Sequence, residues 1–302
     1  MAPGKGDRGR EREISFNTLR IDKERLPHIL KRFGRLRVCE ISVSEIREYQ
    51  RERSKLVSNK TVNLETTVLR MILQRAGLWQ RIAPEFRPLP EKRSTVGRAL
   101  SPDEEKTLFE IASAKPLWTA AYLAALVAAN TTARGCELKQ LRLRDVDIVK
   151  GTFTIWRKTT KTDAGQRVIP MNANANWAFT QLIERAQLLG STEPDHFLFP
   201  RFLYKSRRSP SATALGYDPT QCQKSWRTAW RSLTAAAGLK AFRFHDLRHH
   251  SITRLAEAGV PDQTIMSIAG HVSEDMLRHY SSIREKARRE AVALIESYIP
   301  RR

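Results

Sequence analysis

Phe244-His245-Asp246-Leu247-Arg248-His249 is the stretch on which the reading of this chain turns, with Tyr280 following thirty-two residues past Arg248. It places an arginine suited to gripping phosphate, a candidate nucleophile and two candidate proton carriers, His245 and His271, in one short helix-rich region. His245 and Arg248 stand at i and i+3, so they project from one face of a helical turn, and Leu247, Ile252 and Leu255 take the opposite, buried face. Gly259 ends that helix, Pro261 opens the next, and Gly270 closes it directly before His271. Ser273 then caps a short helix, with Glu274 and Asp275 set against its N-terminal dipole and Tyr280 about two turns along.

A lone H-x-x-R arises often by chance, but here it sits in a strongly basic chain. The 53 Lys+Arg against 32 Asp+Glu give a formal net charge of +21. Such an excess favours a polyanion through counterion release and predicts salt-dependent binding. A solvated basic surface, or one facing a ribosome or a membrane, would carry the same charge, so charge alone only modestly favours nucleic acid. Cys39, Cys136 and Cys222 are far apart and form no C-x-x-C pair, which argues against a disulfide framework or a zinc site and fits a reducing cytoplasm. Residues 1–13 lack the apolar centre of a secretory signal, and the longest apolar run, 118–129, is too short to span a bilayer. The expectation is a basic protein of the cytoplasm, associated with the nucleoid and not with a membrane.

The 302 residues allow two domains. Residues 1–19 read as a flexible tail. Helices are expected over 22–32, from Ser42 to about Ser54 with Ser42 and Glu45 as a capping box, and from Ser58 to Gly77. Lys60, Asn63 and Arg70 are polar residues of that last helix and candidate DNA contacts. These helices make a domain over 20–83, followed by a proline-punctuated linker over 84–99. Ser101-Pro102-Asp103-Glu104 opens a second domain, 100–302, with another capping box. Residues 116–129 are apolar nearly all round and belong in its core. Strand chemistry over 146–170 predicts a small antiparallel sheet. Helices follow at 173–189 and 218–237, with a mobile polar loop between them at 201–219. The fold class is mainly α with a small antiparallel β-sheet, an α+β chain.

Taken singly, His245, His271 and Tyr280 read as packing residues, and Arg134 and Lys161 as two solvated cations among many. Their order changes that. Thr131-Thr132-Ala133-Arg134-Gly135-Cys136-Glu137-Leu138, a hairpin lysine (Lys161), His-Asp-Leu-Arg-His at 245–249, Gly270-His271 and His279-Tyr280-Ser281 together resemble the tyrosine recombinase, or phage integrase, family. The resemblance covers roughly residues 20–300 and is strongest over 100–285. Any one motif is weak evidence, whereas five in the family's order are strong. The helical region 20–83 likewise resembles the core-binding domain of that family. In the family a further helix usually precedes the one at 22–32, and some members carry an arm-type DNA-binding domain before it.

The resemblance implies a site-specific recombinase acting on double-stranded DNA, belonging to a phage or other mobile element. Tyr280 would attack a phosphodiester to form a 3′-phosphotyrosyl bond, and Arg134 and Arg248 would hold the non-bridging oxygens. Lys161 would protonate the leaving 5′-oxygen, His245 would accept the tyrosine proton, His271 would add a phosphate hydrogen bond, and Glu137 would support the arginines. Neither ATP, a metal nor another cofactor is expected. A dimer at each site and a tetramer in synapsis would form through an apolar-striped C-terminal helix at 283–299, with DNA-bending accessory proteins as possible partners. Packing of that helix on its own domain is an equal alternative. A type IB-like topoisomerase, a DNA-binding regulator or a decayed integrase are the competing functions.

Overall fold

The computed structural model describes residues 16–91, 97–156, 166–204, 214–270 and 292. The chain divides into two compact units, Met1–Ser94 and Thr95–Arg302.

The first unit is helical: α1 (Phe16–Phe33), α2 (Val43–Ser54), α3 (Asn59–Arg75) and a single turn, α4 (Trp79–Ile82). α1 begins earlier than the expected residue 22 and carries Pro27 inside it. Ser42 caps α2 by accepting from the Glu45 N–H, but the Glu45 carboxylate pairs with Arg32 instead of completing a capping box. Ser58 caps α3 in the same way through the Thr61 N–H. Apolar faces of the helices meet in a core of Ile29, Phe33, Ile46, Tyr49, Val62, Leu69 and Leu73. Residues 84–91, expected within a linker, run as a strap along this unit. Asn63 donates to Leu89 O and to Glu91 and accepts from the Leu89 N–H, Gln50 donates to Arg87 O, and Asn59 donates to Pro90 O. Each amide satisfies an extended backbone that makes no ladder of its own.

Inside this unit Glu65 is 1% exposed. It accepts from the Tyr49 hydroxyl at 2.7 Å and from Arg53 Nη2 at 2.9 Å. Burial alone would raise its pKa, but these hydrogen bonds outweigh it and hold the carboxyl below its ordinary value. Replacing Glu65 with Ala strands a buried hydroxyl and a half-buried guanidinium, and is expected to destabilise the protein by about 3–5 kcal/mol. Urea denaturation of the full chain measures it; a loss below about 1 kcal/mol would mean that water replaces the carboxylate.

In the second unit Ser101 and Glu104 complete the expected capping box of α5 (Pro102–Ser113). A turn at Pro116–Trp118 leads into α6 (Thr119–Thr131), whose Leu123, Ala124, Ala125, Val127 and Ala128 are at most 3% exposed. α6 leaves through Thr132, in the left-handed region at φ 61°, to the short α7 (Gly135–Lys139). Strands β1 (Val146–Asp147), β2 (Thr152–Ile155) and β3 (Arg167–Pro170) form the expected antiparallel sheet, with Phe153 opposite Ile169. α8 (Ala173–Leu188) packs on α6.

Of the mobile loop expected at 201–219, residues 201–204 and 214–219 belong instead to a second antiparallel pair, β4 (Pro200–Tyr204) and β5 (Ala214–Cys222), and residues 205–213 lie outside the described residues. The helix expected from 218 therefore begins only at α9 (Arg227–Ala236). Phe202 sits opposite Tyr217 with ring centroids 5.1 Å apart. That cross-strand contact joins residues distant in sequence, so local polarity conceals it. α10 (Asp246–Glu257) and α11 (Asp262–Ala269) end at Gly259 and Gly270, both at positive φ, as their glycines predict. α10 is not amphipathic as expected: besides Leu247 and Ile252, Asp246, Arg248, His249, His250, Ser251 and Thr253 are all buried. Of the helices expected after residue 271, only Val292 is among the described residues, helical and exposed.

Candidate active site

Three segments converge at the start of α10. The first is the exit from α6. The Arg134 N–H donates to Glu137 Oε2 at 2.9 Å and its Nη1 to Glu137 Oε1 at 2.8 Å, so one carboxylate fixes both the backbone and the guanidinium of Arg134. The Glu137 side chain is 2% exposed, against 26% for Arg134. Arg167 approaches the same carboxylate from β3, with Nη2 2.9 Å from Oε2. Burial pushes the Glu137 pKa up, but Arg167 and then Arg134 hold it below the ordinary carboxylate value, so it is ionised at neutral pH.

The second segment is α10. Arg248, 2% exposed, donates from Nη1 to Thr132 O at 2.7 Å and to Ala269 O at 2.8 Å. The same helix is sewn to α6 by Ser251, whose hydroxyl lies 2.9 and 2.8 Å from Ala128 O and Ala129 O. Asp246 accepts from the Arg243 N–H and guanidinium, which fixes the entry to the helix. His245, at the helix start, is exposed to the adjoining cavity. Partial loss of solvent, then the Arg248 cation, lower its pKa below 6.5, so its ring is neutral at pH 7.

The third segment is the chain entering the unit. A Cβ at Gly97 would lie 2.3 Å from Asp246 Oδ1 and 2.5 Å from the His249 ring, so only glycine passes there. The Leu100 N–H donates to His250 Nδ1 at 3.2 Å, which places the His250 proton on Nε2, 3.5 Å from Glu105.

Arg134, Glu137 and His245 line one open cavity of about 1290 Å³, whose wall is formed by Trp226, Trp230 and Phe244. The Phe244 ring lies 5.1 Å from both tryptophans, and a Cβ on Gly135 would come within 3.0 Å of it. This aromatic packing holds the start of α7 against the start of α10. Lys139, Arg227, Arg231, Lys240 and Arg243 supply the cavity's basic groups. Among the described residues, no group of three or more His, Cys, Asp or Glu side chains could hold a metal ion.

Of the expected site residues, the structure thus brings together Arg134, Glu137, His245 and Arg248. Lys161, His271 and Tyr280 lie outside the described residues, although β2 and β3 frame the segment bearing Lys161 and Gly270 directly precedes His271. In the first unit, Asn63 spends its amide on the 84–91 strap, and the Arg70 guanidinium lies over the Trp79 ring at 5.3 Å. Lys60 is exposed. Sequence reasoning missed Arg167, Gly97, His249 and the aromatic wall. Trp226, just before α9, and Trp230 within it were visible in the sequence, but nothing local tied them to Phe244.

Residues 98–287 match the model of the phage integrase family. The chain belongs to that family. It is 34% identical to the integrase of Salmonella phage P22 over 93 residues, 31% of this chain but only 20% of that protein, so it spans a fifth of that relative's length. It is 25% identical to the tyrosine recombinase XerA of Pyrococcus furiosus over 243 residues, 80% of this chain and 76% of that one. Its fold is similar to that of the Tn1549 transposon integrase solved in complex with transposon right end DNA, at a TM-score of 0.68 and 21% identity over 94% of this chain and 96% of the other. Within this integrase-family fold, the described site is the meeting point of α6, α7, β3, α10 and α11.

The histidines give the site a pH signature. His249 is 7% exposed, its ring lies edge-on to His245 at 5.3 Å, and its Nδ1 is buried without a hydrogen bond. Burial, then His245, lower its pKa to about 4. A depressed imidazole pKa means that the unfolded chain binds the proton first. The stability contribution is therefore complete above the unfolded value near 6.5 and is lost as pH falls toward 4. The melting temperature is expected to fall through that window, and more shallowly in a His249→Gln variant. Parallel slopes for the two proteins would assign the acid sensitivity to other groups.

Proposed function

We propose that this chain is a site-specific DNA recombinase that cuts and rejoins double-stranded DNA through a 3′-phosphotyrosyl intermediate, without ATP, for a phage or other mobile element. The observation that carries the reading is the arrangement of Arg134, His245 and Arg248. Arg134 and His245 open on one cavity, and Arg248 hydrogen-bonds the residue two before Arg134. A net charge of +21 supplies the attraction for a polyanion.

In this reading the Tyr280 oxygen attacks the phosphorus while the bond to the 5′-oxygen breaks. The tyrosine proton passes to His245, and Lys161 gives a proton to the departing 5′-oxygen. A free phenol titrates near 10 and is a poor nucleophile unaided, and a neutral His245 can accept its proton. Arg134 and Arg248 would bind the non-bridging oxygens through fork-shaped, permanently charged groups and stabilise the crowded phosphorane. His271 would add a hydrogen bond. Attack of a new 5′-hydroxyl on the phosphotyrosine reverses these steps and seals the strand, so the energy of the broken bond is kept. Recombination requires two sites, hence a dimer on each and a tetramer in synapsis, with the 283–299 helix as the proposed link between protomers.

The test is covalent capture. The protein is incubated with nicked duplexes from the ends of its element and from host DNA, denatured, and the attached strands sequenced. Wild-type protein is expected to leave a 3′-linked adduct that Tyr280→Phe abolishes, and Arg134→Lys is expected to slow its formation roughly 10²–10³-fold. Tight, salt-sensitive binding with no adduct on the element's own ends would replace this reading with that of a DNA-binding regulator.

A further inference from the structure

Arg167 stands outside the chemistry just described, yet it joins the Glu137 carboxylate after α6 to the end of α11. It opens β3 and its side chain is 6% exposed. Its guanidinium fork faces the Glu137 carboxylate, with Nη1 3.3 Å from Oε1 and Nη2 2.9 Å from Oε2. Its Nε donates to Ile268 O at 2.7 Å. A Cβ on Gly270 would meet Arg167 Nη1 at 3.3 Å, and φ there is +72°, so residue 270 lies directly on the guanidinium.

Arg248 makes a parallel connection. It holds Ala269 O and Thr132 O, while Arg167 holds Ile268 O and Glu137. Two buried arginines from different elements thus grip consecutive carbonyls at the C-terminus of α11, the negative end of its dipole. Each ties that end to the 132–137 segment bearing Arg134. β3 is also the strand into which the segment containing Lys161 returns.

We infer that Arg167 is a positioning residue for strand cleavage, setting Arg134 through Glu137 and the turn before His271 through Ile268 O, with no contact of its own to the scissile phosphate. The inference rests on the function proposed above. A lysine would keep the charge but present a point donor, unable to face both carboxylate oxygens and Ile268 O in one plane. Misplacement of a catalytic group by about 1 Å costs roughly a hundredfold in rate.

Arg167→Lys and Arg167→Gln are compared with wild type on a nicked duplex carrying the element's end, at a temperature where circular dichroism shows both variants folded. In Arg167→Lys, duplex affinity is expected to stay within about threefold, while the cleavage rate at saturating DNA falls roughly a hundredfold. Arg167→Gln is expected to be at least as slow. Combining Arg167→Lys with Glu137→Gln should cost little beyond the worse single variant, because both break one linkage. Three results would overturn the inference: a cleavage rate within threefold of wild type in a folded variant, a defect confined to DNA affinity, or additive losses in the double variant. Failure of wild-type protein to form a Tyr280-dependent adduct would instead remove the proposed function, and this inference with it.

Discussion

The Glu137 carboxylate takes hydrogen bonds from the backbone and side chain of Arg134 and from the fork of Arg167, all with its side chain 2% exposed. Desolvating a carboxylate and two guanidiniums costs several kcal/mol per ion, and only good geometry with every lone pair engaged recovers it. Stability does not demand such a cluster, since an apolar core would fill the space at lower cost. What it provides is direction. Arg134 leaves α6 through a left-handed Thr132 and would otherwise sample many rotamers on an exposed turn; bound at both ends by Glu137, it has one orientation. The exit from α6, the start of β3 and the end of α11 are all located by reference to this carboxylate and to Arg248.

How far the sequence reveals this architecture depends on how local each cause is. Ser42, Ser58 and Ser101 announce helix starts because a cap is satisfied within three residues, and Gly259 and Gly270 announce ends because only a positive φ is needed. Arg134, His245 and Arg248 are legible because they fall in motifs of fixed spacing. Arg167 is not. It is one basic residue among 53, on a short strand, and its partners lie 30 and 101 residues away. The β4–β5 pair escaped for the same reason: its polar, proline-containing strands resemble a loop until Phe202 and Tyr217 are set opposite one another. The strap at 84–91 reads as a linker because its prolines exclude regular structure, whereas its ordering comes from amides on α2 and α3.

The burial of α10 follows from the same logic. An amphipathic reading assigns Arg248 to the solvent side of the helix and Leu247 to the core, but the helix is packed on several sides at once. Ser251 bonds to the end of α6, His250 to the chain entering at Leu100, and Ile252 and Ala256 to the apolar patch shared with α11. A polar residue on such a helix is tolerated only where a particular partner awaits it, so the buried polar residues of α10 record which segments surround it. Periodicity detects the apolar residues of a helix and is blind to this second kind of burial.

The two site arginines are held by different means, and the difference has a chemical consequence. Arg134 is fixed by a carboxylate, which cancels part of the field it projects into the cavity. Arg248 is fixed by the carbonyls of Thr132 and Ala269, at the ends of α6 and α11. A backbone carbonyl at a helix C-terminus orients a guanidinium through its dipole and carries no formal charge of its own. The pair also differs in burial: the Arg134 side chain is 26% exposed, whereas Arg248 is 2% exposed. For an anion whose charge grows at the transition state, a fixed, poorly solvated cation is the stronger stabiliser, because it has no solvent shell to reorganise.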